Sequence, residues 1–269
     1  MSAAEPTMQF ESLVFGEGIA LDDPAETYHE ASRLYPSTAR ARLPGLALLE
    51  VDEHVRAGVE RSSRRHPDRE SAALPTVRLP DAAIADVLSS RASLVAEELV
   101  PLDLEGLAAI LDVTYAVHRT PRGDRRGVPS AGALYPLEIY AVCVGVAGVP
   151  AGIHHYDPFA HRLELLRAGD HRDELARALP DPEPLEVTAV ALVVTGVYWR
   201  SRFKYGQRGY RFVLLEAGHL AQNLLLACTA LGLPALPVGG FYDRLLDAVV
   251  GVDGIDESSV YVLLVGGSR

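Results

Sequence analysis

The stretch KYGQRGYRFVLLEAGHLAQNLLLACTALGLPALPVGGF, residues 204–241, decides how the rest of the chain is read. Its middle, about Arg211 to Leu231, is long enough for about six helical turns. Phe212, Leu215, Leu220, Leu224, Leu226 and Ala227 fall on more than one face of that helix. A helix apolar nearly all round is buried, at the centre of a large domain or between two subunits. The run from Leu220 to Tyr242 carries no charge, so a membrane span is the competing reading. Gln222, Asn223, Gly232, Pro234 and Pro237 oppose it, because the helix must stop near Gly232. The soluble reading is preferred.

The entrance to the helix holds the reactive side chains. Lys204 is the only lysine, and the other 24 basic residues are arginine. A solitary lysine among arginines points to a place where a titratable amine is needed, since lysine shifts its pKa readily on burial. Against that stands a chance survivor on the surface, which composition alone does not distinguish from it. Tyr205 beside it is a second proton-transfer candidate. Taken alone, such a tyrosine is more often a core or interface aromatic.

At 269 residues the chain suits one large domain or two small ones. A net charge of −11 disfavours nucleic acid and anionic membrane surfaces as partners. Cys143 and Cys228 sit in apolar runs without metal-ligand spacing, and read as buried thiols of a reducing compartment. The N-terminus is acidic and has no apolar segment of signal-peptide type, so a cytoplasmic location is expected.

Residues 1–78 read as an N-terminal extension and linker, and 79–269 as the main domain. A short helix is expected in AETYHEASRLYP, ending before Pro36. Arg56, Arg61, Arg64, Arg65 and Arg69 cluster around His66; Pro67, Asp68 and Glu70 interrupt the run, which favours a solvated linker over a basic docking patch. Helices follow, capped by Asp81 and by Asp103. The runs LEIYAVCVGV and VTAVALVVTGVY read as central strands, IHHYD and RLELL as a hairpin, and SSVYVLLVG as a final strand. GLPALPVGG reads as a connection. Four to six strands and five or six helices without βαβ alternation make the class α+β. Alternation puts one of His154 and His155 inward. His219 is expected at a buried or subunit-facing position.

Three segments could serve an anionic, planar cofactor. Arg91-Ala92-Ser93 could hold a phosphate by charge and hydroxyl. Pro129-Ser130-Ala131-Gly132 and Val238-Gly239-Gly240 let backbone amides approach a flat ring. Each is weak alone, since such loops are mostly turns. A GxGxxG after a strand, a P-loop, HExxH and GxSxG are all missing, which argues against a nicotinamide Rossmann domain and a serine hydrolase.

With these residues in view, the blocks RRGVPSAGALYPLEIYAV, AGIHHYDPFAHRLELL, FKYGQRGYRFVLLEAGHLAQNLLLACTALGL and GGFYD closely resemble the SagB-type dehydrogenases of the nitroreductase superfamily. The resemblance runs from about Ile84 to Gly266. It implies an FMN-dependent α+β homodimer, a mixed sheet flanked by helices, with the flavin at the subunit interface and the long helix near the dimer core. It implies oxidation of azoline rings in a ribosomally made peptide to thiazoles or oxazoles, with a cyclodehydratase as a possible partner. Lys204-Tyr205 match the family's catalytic pair, and Arg91 and Ser93 its flavin-contacting Arg-x-Ser. Ser130 and Gly132, in the Pro129–Gly132 loop, match the segment beside the flavin ring. Gly239 and Gly240 match the segment approaching its reactive face. Val95 stands where relatives often carry a second arginine; Arg126, Arg211 or Arg269 would have to replace it. Two other readings stay open: an NAD(P)H-dependent nitro or quinone reductase of the same fold, and a flavin-free scaffold in a peptide-modifying complex.

Overall fold

The computed structural model describes residues 23–36, 52–54, 63–93, 95–121 and 123–267. Helix α1 (Pro24–Ala31) opens with Asp23 accepting from the Ala25 N–H and with proline at the first helical position, where no N–H is needed. Strand β1 (Ser71–Ala73) precedes α2 (Ile84–Ser90) and α3 (Leu104–Tyr115), and β2 (His118–Thr120) and β3 (Gly123–Arg125) form a small hairpin. Next come β4 (Leu137–Cys143), β5 (Gly152–Asp157), β6 (Arg162–Ala168) and α4 (Arg172–Ala178). Strand β7 (Val190–Val197) runs into α5 (Tyr198–Tyr205) and then α6 (Arg208–Leu231). The chain closes with β8 (Ala235–Val238), α7 (Asp243–Val250) and β9 (Glu257–Val265).

The main sheet has the order β1-β6-β5-β4-β7-β9-β8, and all its ladders are antiparallel. The α+β class is as expected. Parallel pairing among the described residues is confined to an isolated bridge between Leu102 and Val146, so the expected mixed sheet is in practice an antiparallel one.

Strands β4 and β7 are buried on both faces, which is why their sequences are continuous apolar runs. Leu137, Ile139 and Ala141 of β4 face one core with Leu107 and Leu111 of α3 and Val213, Leu220 and Leu224 of α6. Tyr140 and Val142 face the other, with Leu175 of α4 and Leu246 and Val249 of α7. Helix α6 is long and apolar enough to cross a membrane by length and composition, and half of its most apolar window is buried inside the protein. It ends at Gly232, φ 68°, with the Leu233 N–H bonded to the Cys228 carbonyl.

Several expectations are corrected. Asp81 does not cap α2, which starts after Ala83 without a side-chain cap; Asp103 does cap α3, accepting from the Gly106 N–H. The connection after α6 contains β8, an edge strand that tolerates Pro237 because one side of it needs no ladder bond. Both His154 and His155 are buried, since the sheet is covered on both faces and bulges between Ile153 and His154. Cys143 and Cys228 are, as expected, buried free thiols, each pushed up to about 12 by burial. His219 is exposed on the single chain, which rules out the buried position within one chain and leaves the subunit-facing one. Ser71–Ala73, inside the stretch read as linker, pairs with β6.

Candidate active site

The ends of the central strands set the site. Leu137 at the start of β4 pairs with Gly196 near the end of β7, and Glu257 at the start of β9 pairs with Val197, so three strands present one end of the sheet to α5. The first turn of α5 is tied there by Arg200, 7% exposed, whose guanidinium lies 2.5 Å from the Glu138 carboxylate. One turn later come Lys204 and Tyr205, both half-buried. Gly206 then takes φ 56°, ψ −138°, a conformation open to glycine, which ends α5 and lets α6 start at Arg208.

The loop before β4 folds over this pair. Gly132 has φ 66°, and Ala133 and Tyr135 also have positive φ, 56° and 43°. Backbone held in that region costs free energy and clusters at functional sites. A Cβ on Gly132 would stand 2.6 Å from Lys204 Nζ and 2.5 Å from the Tyr205 hydroxyl, so the glycine is what lets loop and pair meet. Lys204 Nζ also lies 5.3 Å from the Tyr205 ring centre, and Phe212 packs edge-on against that ring at 5.0 Å.

Helix α6 supports the loop from beneath. The Tyr135 N–H donates to Ser130 Oγ at 2.8 Å, and the Ser130 hydroxyl in turn bonds Glu216. The Tyr115 hydroxyl donates to Glu216 at 3.0 Å and accepts from the Leu137 N–H at 3.1 Å. Two turns further on, Asn223 donates to the Gly127 carbonyl at 2.8 Å. Arg126 is buried with its guanidinium 4.3 Å from the Tyr115 ring centre and 4.7 Å from that of Tyr135. Glu216 is 2% exposed, and burial pushes its carboxyl up to about 7 despite the bonds from Ser130 and Tyr115.

The reverse side of the same sheet end is polar and closed by residues 63–66. The His155 ring faces Glu138 at 2.9 Å and Glu164 at 3.3 Å. The Arg64 N–H donates to Glu138 at 2.9 Å, and the His66 N–H donates to Glu164 at 2.9 Å. The Arg64 guanidinium pairs with buried Glu257, which also accepts from Thr195 at 2.6 Å and Tyr140 at 2.9 Å. Arg64 and His66 therefore dock on the sheet, which corrects the reading of this stretch as solvated linker. Burial alone would raise Glu138, but His155, Arg200 and the Arg64 N–H outweigh it and hold the carboxyl at about 2. Burial lowers His155, and the two carboxylates more than reverse it. Donor atoms of His66, His155 and Glu164 lie within 4.8 Å of one another, yet both His155 nitrogens already face carboxylates, so the cluster is balanced by its own charges.

The structure thus brings together Gly132, Lys204 and Tyr205, with Ser130 beneath them and Pro129 exposed beside it. Ala131 opens the short 3-10 turn that contains Gly132. Gly239 and Gly240 are exposed and continue β8 toward the same sheet end, and the Tyr261 ring is the described neighbour within 4 Å of a Cβ at Gly239. Arg91 and Ser93 lie past the end of α2, whose Val87 shares a cavity with Ala227 and Ala230 in the C-terminal half of α6. Among the described residues no hydrogen bond or ring contact joins them to Lys204, Tyr205, Ser130 or Gly132. Arg211 is engaged elsewhere, donating to Ser32 Oγ and the His29 carbonyl, both at 2.8 Å. Arg269 and Leu94 lie outside the described residues, and Val95 is exposed. Sequence reading missed Glu216, Tyr115 and Asn223. The signal available was one carboxylate in a helix otherwise apolar or neutral from Phe212 onward, with Asn223 two turns away on its face.

The model of the nitroreductase family matches residues 95–267. The nitroreductase-family protein MJ1384 of Methanocaldococcus jannaschii is 38% identical over 174 residues, covering 62% of this chain and 85% of its own. The trifolitoxin-processing protein TfxB of Rhizobium leguminosarum bv. trifolii is 30% identical over 175 residues, which is 62% of this chain but 46% of TfxB, so the chain spans about half of that relative. Among solved structures, the E. coli microcin synthetase McbBCD complex with truncated pro-MccB17 bound superposes with TM-score 0.58 at 22% identity, over 89% of this chain and 99% of that one. At that identity the likeness is one of fold.

Proposed function

This chain belongs to the nitroreductase family, a family of oxidoreductases, and on that premise we propose that it is an FMN-dependent, SagB-type azoline oxidase acting on a ribosomally made peptide. The observation that carries the reading is the meeting of the only lysine, its tyrosine neighbour and the strained small-residue loop at Gly132. The names of TfxB and of the McbBCD complex, one a peptide-processing protein and one holding a truncated precursor, support a peptide as substrate.

The residues fit a flat, anionic cofactor. Gly132 gives a surface without a side chain next to the reactive pair, and no described residue lies within 4 Å of where a Cβ on Gly240 would be. Pro129, Ser130, Ala131, Gly132, Gly239 and Gly240 would line the ring, and Arg91 and Ser93 would take the phosphate; Arg269 is the remaining candidate for the missing second arginine. Since, among the described residues, no hydrogen bond or ring contact joins Arg91 and Ser93 to the Lys204 cluster, we place the two halves of each site on the two subunits of a homodimer. FMN, when bound, supplies the hydride acceptor.

The chain's own part is to orient the substrate's azoline ring and take its acidic α-proton, while the β-hydrogen leaves as hydride. Tyr205 or Lys204 is the base, and general-base catalysis of this kind contributes about 10²–10⁴-fold. Arg200 and Glu138 hold the helix that carries the pair, and Glu216 and Asn223 hold the loop above it. A cytoplasmic location and a cyclodehydratase partner belong to the same proposal.

The test begins with the visible spectrum of the purified protein and identification of any released flavin. A thiazoline peptide is then compared with NAD(P)H plus quinone or nitroarene. FMN near one per subunit and loss of two hydrogens from the peptide are expected. Steady NAD(P)H consumption without peptide oxidation would assign a nitro or quinone reductase instead. A protein that cannot be loaded with FMN would leave only the scaffold.

A further inference from the structure

A cavity of about 770 Å³ lies beside Tyr205, between α5 and the end of α1. Its walls include Trp199, Phe203 and Tyr205 from α5 and Leu34 from the turn after α1. Trp199 and Phe203 are four residues apart and so share a face of α5. This size sits high in the range of small-molecule sites, about 300–1,000 Å³, and exceeds what one five-membered ring needs. Among the described residues its charged lining is entirely basic: Arg33, Arg202 and Arg208, with no aspartate or glutamate. That is notable in a chain of net charge −11. Arg33 is held by Glu30 at 2.9 Å, which leaves Arg202 and Arg208 as the cations that define the cavity.

We propose that this cavity seats the peptide residue flanking the reacting ring and selects an acidic side chain there, held by Arg202 and Arg208. The proposal rests on the azoline-oxidase reading and adds a substrate class to it. Tyr205 is the shared wall, so a ring presented to the candidate base places its neighbouring residue in the cavity. Guanidinium groups match a carboxylate in flat, two-point geometry, and the aromatic wall covers the aliphatic part of the residue. Docking of α1 keeps the cavity's far side in place. Tyr28 packs edge-on to Tyr210 at 5.2 Å, and Arg211 holds Ser32 and the His29 carbonyl.

Trp199 is the only tryptophan and is 57% exposed, so its emission reports occupancy without requiring turnover. The holoenzyme is titrated with amidated octapeptides that carry one thiazoline followed by Asp, Asn or Lys. The Asp peptide is expected to bind about tenfold or more tighter than the Asn peptide, with the Lys peptide weakest. In the double variant Arg202→Glu and Arg208→Glu the order inverts, which a merely misfolded protein would not do. Equal affinity for the three peptides overturns the proposal. So does emission that ignores every peptide; if that emission changes on protein dilution, the cavity is covered by a second copy. Mass spectrometry of the same mixtures separates the two claims. Peptides that bind in the expected order without losing two hydrogens refute the oxidase reading and leave the acidic selection standing.

Discussion

Lys204 and Gly132 define the chemistry at the scale of single residues, and each makes a prediction. Lys204→Arg keeps the charge and removes the titratable amine, so turnover should fall by about 10²–10⁴-fold with FMN retained; full turnover would refute a base role for this residue. Gly132→Ala forces a Cβ into the space of the Lys204 amine and Tyr205 hydroxyl, both ends of movable side chains. Its left-handed backbone adds about 1–2 kcal/mol of strain. Turnover should drop sharply while thermal unfolding shifts only modestly, as activity and calorimetry on one preparation would show. Glu216 makes a prediction about pH. Its carboxyl is near 7 when folded and near its ordinary value of 4.5 when unfolded. Between those values the unfolded chain binds fewer protons than the folded one, so this group makes stability fall as pH rises from about 4.5 to about 7. A displacement of that size corresponds to roughly 3 kcal/mol. Glu216→Gln mimics the protonated form, so the wild-type-minus-variant difference in unfolding free energy should decline across that window and then level off. A difference independent of pH would sink the assignment.

At the scale of elements, α5 is placed by a buried ion pair and the strand ends, since the residues it buries, Arg200 and Ser201, are polar. Removing Arg200 leaves Glu138 buried against a reduced set of partners. Breaking a buried pair on one side typically costs about 3–5 kcal/mol. Arg200→Met should approach that loss in urea denaturation, and adding Glu138→Gln should recover part of it. Failure of the second change to recover anything would show that the pair does not act as a unit. The segment at residues 63–66 closes the same network, with Arg64 reaching both Glu138 and Glu257. Glu138 sits at about 2, below its ordinary value, so its contribution is complete above pH 4.5 and is lost as pH falls toward 2. His155, raised by its two carboxylates, contributes fully below its ordinary 6.5 and less as pH rises beyond its folded value. Neither docking was visible from local pattern. An arginine run interrupted by Pro67 and Asp68 looks like linker until the buried carboxylates that receive it are found 70 or more residues away.

For the whole molecule, the proposed dimer predicts complementation. An Arg91→Ala protein and a Lys204→Ala protein should each be inactive, and mixing them through unfolding and refolding should restore activity by pairing intact half-sites. Absence of recovery, with mixed dimers demonstrated by native mass spectrometry, would place both halves of the site in one chain. The central strands, the long helix and its stop at Gly232 were readable from sequence because burial on both faces and a left-handed cap leave local signatures. The pair Lys204-Tyr205 stood out because one lysine among 24 arginines is a compositional signal. Glu216 stands out in its helix, but its place under Ser130 has no local signature, and neither have Arg200 on Glu138, β1 joining the sheet and the basic cavity beside Tyr205. Each depends on which groups are removed from water together, and that is decided by contacts between residues distant in the chain. Periodicity and residue type therefore determined the elements and the reactive pair, while only the tertiary structure decided their partners, because burial and electrostatics are properties of the packed whole.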